Sequence, residues 1–143
     1  MRVRVHGRTK QFRTVSFDVR SNEVILIEQR RLPHAFEFTR TTTYKQTARA
    51  ITNMTVRGAG AIGATAAYGL AQGVRSFSGK TIGAFNRHVE RVYQTLAGAR
   101  PTAVDLVNAM NGVRASMIKG PTIEAQQDFA LKAAERFADE DVA

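Results

Sequence analysis

A chain of 143 residues, 43 % of them hydrophobic, has the size of one domain and can bury a core without covalent staples. It has no cysteine, which excludes disulfides, thiolate metal sites and a cysteine nucleophile within these residues and suits a reducing cytoplasm. Its 21 Lys+Arg against 12 Asp+Glu give a formal charge of +9. That excess attracts anions, leaving nucleic acid, acidic membrane and phosphorylated small molecules open, beside a surface that merely balances an acidic partner or segment.

Residues 1–8 carry charge with no apolar run behind them, so no secretory leader is expected. Residues 14–19 alternate apolar and polar, the period of a half-buried strand, and residues 23–28 read as a second strand with an apolar centre. Arg20, Ser21 and Asn22 form the turn of the resulting hairpin. Leu32-Pro33 ends this unit, because proline pushes its predecessor toward extended geometry, and a short extended piece is expected over 35–38.

From Thr43 the period becomes helical. Thr43 with Gln46 forms a capping box, and Ala48, Ile51 and Met54 follow at helical spacing. A second helix, expected from near Ala61 to Gln72 with Gly73 beyond its end, is Ala-rich and apolar nearly all round, hence central. It belongs to the longest low-charge stretch, residues 58–73, which is too short to span a bilayer at roughly 20 residues. A soluble, cytoplasmic protein away from membranes is expected. A third helix places Ile82, Phe85, Val89, Val92, Tyr93 and Leu96 on one face and ends at Gly98. A fourth is expected from Thr102 to Ile118 on a stripe of Leu106, Met110, Val113 and Met117, and Gly120-Pro121 breaks the chain after it. A fifth starts after Thr122 with Ile123, Gln127, Ala130, Leu131, Ala134 and Phe137 near one face. The expected fold is α+β: one domain over residues 1–143, with a β-hairpin region over 1–40 and a helical region over 41–143. The tail lacks a helix C-cap, which suggests a natural chain that continues.

Gly58-Ala59-Gly60-Ala61-Ile62-Gly63 satisfies G-x-G-x-x-G letter for letter. A dinucleotide fingerprint also needs a strand before the glycines and an acid about 20 residues later. Here a helix precedes them, the nearest acid is Glu90, and no βαβ pattern surrounds them. The physics of the segment survives that rejection. Glycines let backbone amides converge on an anion, a helix starting there aims its positive end at the same point, and Arg57 can grip phosphate with two nitrogens. The alternative is that the glycines allow tight helix packing and Arg57 is solvated. Arg100-Pro101 is a second candidate, since Pro101 suits a helix start and Thr102 or Asp105 can stabilise its first turn. By itself it reads as an ordinary capped helix with an exposed arginine.

Together the two segments resemble the methylthioribose-1-phosphate isomerase family. Its relatives include ribose-1,5-bisphosphate isomerases and the regulatory subunits of the exchange factor for translation initiation factor 2. The family segment M-x-V-R-G-A-P-A-I-G, followed by A-A-Y-G, reads here as Met54 to Gly63, then Ala66-Ala67-Tyr68-Gly69. The segment R-P-T-A-V-N-L reads as Arg100-Pro101-Thr102-Ala103-Val104-Asp105-Leu106. Ile27-Glu28-Gln29 and Leu32-Pro33 resemble the family's opening.

The resemblance implies that Arg57, Gly58 and Ala59 contact the substrate and that Arg100 holds it through its phosphate. It implies a phosphorylated pentose as ligand, conversion of an aldose 1-phosphate to a ketose 1-phosphate in methionine salvage, no cofactor, and a homo-oligomer. Gly60 stands where the family has proline, and Asp105 where it has asparagine. In the family, a cysteine and an aspartate of a carboxy-terminal Rossmann-like domain carry out the isomerisation. That domain is absent from these residues, so the chain is expected to be catalytically incomplete and to work with that domain or a separate subunit. No catalytic residue and no metal ligand is nominated. His6, His34 and His88 lie on different elements and read as structural or exposed. One alternative is a regulatory subunit that binds a sugar phosphate or nucleotide. Another is a basic nucleic-acid-binding domain, disfavoured by dispersed arginines and the lack of a recognition motif.

Overall fold

A computed structural model of the chain describes residues 2–5, 8–11, 15–27, 38–53 and 59–142, with the backbone alone described for 2–5, 8–11, 59 and 141–142. Five strands precede five helices: β1 Arg2–Val5, β2 Arg8–Gln11, β3 Val15–Asp18, β4 Glu23–Ile27, β5 Phe38–Thr41, α1 Tyr44–Thr52, α2 Ala59–Arg75, α3 Ile82–Ala97, α4 Val104–Met117 and α5 Ile123–Val142. The α+β reading holds. β1 and β2 form a separate antiparallel hairpin, and β3-β4-β5 form a three-stranded antiparallel sheet. The sequence reading did not anticipate β1 and β2, because Arg-Thr-Lys-Gln in β2 contains no apolar residue to reveal a period.

The β3–β4 hairpin has the expected turn. Asp18 Oδ1 accepts from the amides of Arg20 and Ser21 at 3.1 and 3.4 Å, and Asn22 takes the left-handed conformation with φ 56° that asparagine tolerates. The Ser21 amide first, then the Arg40 guanidinium, hold the Asp18 carboxyl below its ordinary value. The expected extended piece over 35–38 is displaced: β5 begins at Phe38, while 35–37 and Leu32-Pro33 lie outside the described residues.

α1 starts as its cap predicts, with Thr43 Oγ1 accepting from the Gln46 amide at 3.2 Å. The return bond goes one residue further than a capping box has it. Gln46 Oε1 accepts from the amide of Thr42 at 2.8 Å. α2 is longer than expected at both ends and runs through Gly73. Every residue from 61 to 74 is buried, because the sheet, α1 and α3 cover one side of α2 while α4 and α5 cover the other. Gly73 lies inside this helix because α3 passes too close for a side chain: a Cβ there would stand 2.5 Å from Val92 Cγ1.

A buried polar network fastens the sheet to α2. Gln72 Nε2 donates to the carbonyls of Thr41 at 2.8 Å and Asn22 at 3.1 Å, and Asn22 Nδ2 donates back to the Gln72 carbonyl at 3.1 Å. Thr47 Oγ1 donates to Gln72 Oε1 at 2.6 Å, which leaves the 2.6 Å contact between Thr41 and Thr47 to be donated by Thr41. Each of these groups finds a partner, which offsets the cost of burying it, whereas Asn22 Oδ1 is buried without one among the described residues.

α3 buries Phe85, Val89, Val92 and Leu96 as its period predicts, while Ile82 stays exposed in the first turn, where the helix projects beyond the core. α4 begins at Val104, two residues after its expected start, because Arg100 to Thr102 form a turn closed by the Ala103 amide on the Arg100 carbonyl at 3.0 Å. Thr122 caps α5, accepting from the Ala125 amide at 3.0 Å. Among the described residues no helix is long and apolar enough to cross a membrane.

Candidate functional site

Two chain segments carry the candidate residues, and the fold brings their flanks together. Arg57 and Gly58 lie outside the described residues, and Ala59 opens α2 with its backbone alone described. The chain leaves α1 at Asn53 and re-enters helix at Ala59, so both anchors of the intervening segment are defined.

The first anchor is Thr52, in the last turn of α1. Its Oγ1 stands 3.1 Å from the Ala48 carbonyl and 3.1 Å from the Ala99 carbonyl, sharing one proton between its own helix and the residue before Arg100. The second anchor is the early part of α2. A Cβ on Gly63 would lie 3.3 Å from the Asp105 carbonyl of α4 and 3.0 Å from Phe137 Cζ of α5. Glycine is needed there because the first turns of α2 and α4 approach this closely. The described residues on either side of 54–58 therefore meet the second segment: Thr52 touches the residue before Arg100, and Gly63 packs against the start of α4.

The electrostatics at this junction favour an anion. The first turn of α2 contains no acid. α4 is preceded by Ala103, which offers no side-chain hydrogen bond to the helix amides, so Thr102 does not fill the capping role expected of it. Asp105 is the acid in the first turn of α4 and is exposed. Each helix start leaves amides without intrahelical partners and a partial positive charge of about half an elementary unit. Arg100 is half-buried, and among the described residues its guanidinium has neither a hydrogen-bond nor an ion-pair partner. An unengaged arginine beside two converging helix starts can grip a phosphate with two parallel hydrogen bonds.

His88 has a structural role: its Nε2 donates to the Gly73 carbonyl at 2.7 Å, and its ring packs against Phe77 and edge-on to Tyr44. His6 and His34 lie outside the described residues. Among the described residues no group of three His, Asp or Glu side chains is placed to hold a metal ion. While Gly63 fulfils the tight helix packing weighed for the glycine run, sequence reasoning missed Thr52 as a link between the two segments. It also missed the fully buried Tyr68, whose hydroxyl donates to Glu135 Oε2 at 2.8 Å under a stacked Phe17 ring. Their partners carry no local signal, since each acts on a residue more than 35 positions away.

The comparisons with known proteins agree on the relationship. The family described as the Initiation factor 2 subunit family matches residues 55–143. The methylthioribose-1-phosphate isomerase of Thermosipho africanus is 38% identical over 132 residues, covering 92% of this chain and 38% of the relative. That of Methylobacterium nodulans is 40% identical over 144 residues, covering 99% of this chain and 36% of the relative. Among solved structures, 5-methylthioribose 1-phosphate isomerase from Pyrococcus horikoshii OT3 superposes with a TM-score of 0.85 at 35% identity, covering 92% of this chain and 37% of that one. The translation initiation factor eIF-2B subunit delta from A. fulgidus does so with a TM-score of 0.84 at 32% identity, covering 92% and 38%. The chain thus spans little more than a third of the length of these relatives. It belongs to the Initiation factor 2 subunit family.

Proposed function

We propose that this chain supplies the phosphate-holding part of an aldose–ketose sugar-phosphate isomerase of the methylthioribose-1-phosphate kind. Arg57 and Arg100 grip the phosphate, and the backbone of Gly58 and Ala59 lines the cradle at the start of α2. The observation that carries this reading is the pair of contacts made by described residues on either side of 54–58. Thr52 ties their upstream flank to Ala99, and Gly63 lets their downstream flank press on Asp105. Two arginines far apart in sequence then serve one ligand.

In this reading the chain binds and orients. Isomerisation needs a general acid to open the sugar ring and groups that move hydrogen between neighbouring carbons. This reading nominates none of the described residues for either step and assigns both to groups outside them. The same cradle in a regulatory subunit would bind a sugar phosphate or nucleotide as a signal. The likeness to eIF-2B subunit delta, nearly as strong as that to the isomerase, favours keeping this second reading.

Titration with 5-methylthioribose 1-phosphate tests the site. Arg57→Ala and Arg100→Ala are each expected to weaken binding by roughly 10-fold or more, since a hydrogen bond to a charged group contributes about 1.5–3 kcal/mol. Unchanged affinity in both variants refutes the assignment. Turnover of that sugar phosphate by this chain alone would refute the purely holding role.

A further inference from the structure

We propose that the outer face formed by α1 and α3 docks the phosphate backbone of a nucleic-acid duplex, through Lys45, Arg49, Arg87 and Arg91. The placement follows from the contacts between the two helices. Tyr44 at the start of α1 meets the His88 ring edge-on at 6.3 Å, and Thr52 at its end reaches the Ala99 carbonyl at 3.1 Å. The two helices therefore run side by side in the same direction.

Helical phase, about 100° per residue, locates the cations. On α3, Tyr93 donates to Asn111 at 2.8 Å and Glu90 pairs with Arg114 at 3.3 Å, so that flank faces α4. Arg87 points outward, opposite the buried Phe85, Val89, Val92 and Leu96, and Arg91 lies next to it on the α1 side. On α1, Thr47, Ala48, Ala50 and Ile51 are buried, so Arg49 points outward and Lys45 lies between it and the α3 side of the helix. All four cations are exposed. Among the described residues none has a carboxylate partner, because α1 contains no acid and the single acid of α3 is engaged by Arg114.

The character of the face selects its occupant. Unpaired cations four residues apart on two parallel helices stand about 6 Å apart along each axis, so the four form one patch of like charge that attracts a polyanion. A membrane or an apolar protein contact would need exposed aliphatic or aromatic anchors. The large exposed hydrophobics Val19, Phe38, Ile82, Val104 and Ile118 all lie off this face. The aromatic rings between the two helices, Tyr44 and His88, are half-buried against each other, so the face suits backbone contact to a duplex rather than base stacking with a single strand. Binding is therefore indifferent to base sequence.

The test uses the full chain and labelled duplexes of about 20 base pairs, DNA and RNA separately, titrated at several salt concentrations. Four phosphate contacts predict a slope of log K against log salt near −3.6, a loss of roughly 150-fold between about 50 and 200 mM. The double variant Arg49→Gln/Arg91→Gln is expected to halve the slope to about −1.8. The control Lys132→Gln/Arg136→Gln on α5 is expected to leave it unchanged. Circular dichroism checks that the variants fold. Any of three results overturns the proposal: no duplex binding at low salt, an unchanged slope in the Arg49/Arg91 variant, or equal or tighter binding to polyglutamate, which would assign the face to an acidic protein.

Discussion

Replacing Gly73 by alanine sets two effects of opposite sign against each other at one buried position. Within a helix, alanine is favoured over glycine by about 1 kcal/mol. Against that gain, the new Cβ would stand 2.5 and 2.7 Å from the two methyls of Val92 and 3.1 Å from Tyr44 Cδ1. Carbon atoms rest at about 3.5–4.0 Å, so the shortfall is close to 1 Å. Val92 is wholly buried and β-branched, and in a helix it has one strongly preferred rotamer, so its methyls cannot swing aside. α2 and α3 must part instead, at the upper end of the 1–3 kcal/mol typical of overpacking, for a net loss of about 2 kcal/mol. Gly112, inside α4, is the reference. A Cβ there meets nothing within 4 Å, so the same substitution should stabilise by about 0.5–1 kcal/mol. For a chain of this size each kcal/mol moves the midpoint by about 2–4 °C. Thermal melts should therefore show Gly73→Ala about 4–8 °C below the parent and Gly112→Ala slightly above it. Adding Val92→Ala should make the Gly73→Ala cost smaller than it is alone, by the coupling expected of touching residues. A Gly73→Ala chain as stable as the parent would refute the close approach of α2 and α3.

Gln72→Leu keeps the volume of a buried side chain but strips partners from the Thr41 and Asn22 carbonyls and the Thr47 hydroxyl. Denaturant unfolding should show a loss of about 2–4 kcal/mol, and a loss below about 1 would mean the network is dispensable. The Asp18 carboxyl is held below its ordinary value of 3.8 by the Ser21 amide and then by Arg40, so the unfolded state binds more protons as pH falls. Its contribution is fully present above 3.8 and is lost as pH falls through the lower folded value. Parent and Asp18→Asn should differ in stability near neutral pH and converge in acid, and a gap that persists in acid would contradict the linkage. Thr52→Val removes the hydroxyl at Ala99, and titration with 5-methylthioribose 1-phosphate should show affinity down by roughly 2–10-fold, restored by Thr52→Ser. Equal affinity for parent and Thr52→Val would discard the first anchor.

The elements with strong local signals were legible. Thr43 before an apolar stripe, the 3.6-residue period of α3 and Gly120-Pro121 ahead of Thr122 each act within one or two turns of chain, and each helix forms where those residues place it. The departures have long-range causes. Gly73 looks like a helix end because glycine so often stops one, yet here it is retained inside α2 to admit Val92 from another helix. β2 has no apolar period, so it could be found only through its pairing with β1. At the candidate site, the residue types were legible as motifs, whereas their neighbours were not. Nothing near Thr52 announces that its hydroxyl reaches Ala99, and nothing near Gly63 announces the Asp105 carbonyl.

That difference bears on what glycine-rich patterns mean. G-x-G-x-x-G describes how closely a backbone can approach something, without saying what approaches it. In this chain one glycine of the run, Gly63, is filled from the protein side: its open face is occupied by Phe137 and the start of α4. It serves packing, the alternative weighed for all the glycines of the run, and that packing is what brings the Arg100 turn to the start of α2. The packing reading therefore applies to Gly63, while the proposed ligand-binding role concerns Gly58 and Ala59. Gly63→Ala separates them. Its Cβ would press on Phe137 at 3.0 Å and on the Asp105 carbonyl at 3.3 Å, so the α2–α4 junction must shift by a few tenths of an ångström. Overpacking of this kind costs about 1–3 kcal/mol and is partly offset by about 1 kcal/mol of helix preference. Stability should fall little, while affinity for 5-methylthioribose 1-phosphate should fall more, because two arginines must meet one phosphate and small displacements weaken both. If stability falls and affinity does not, Gly63 packs the helices without setting the geometry of the cradle.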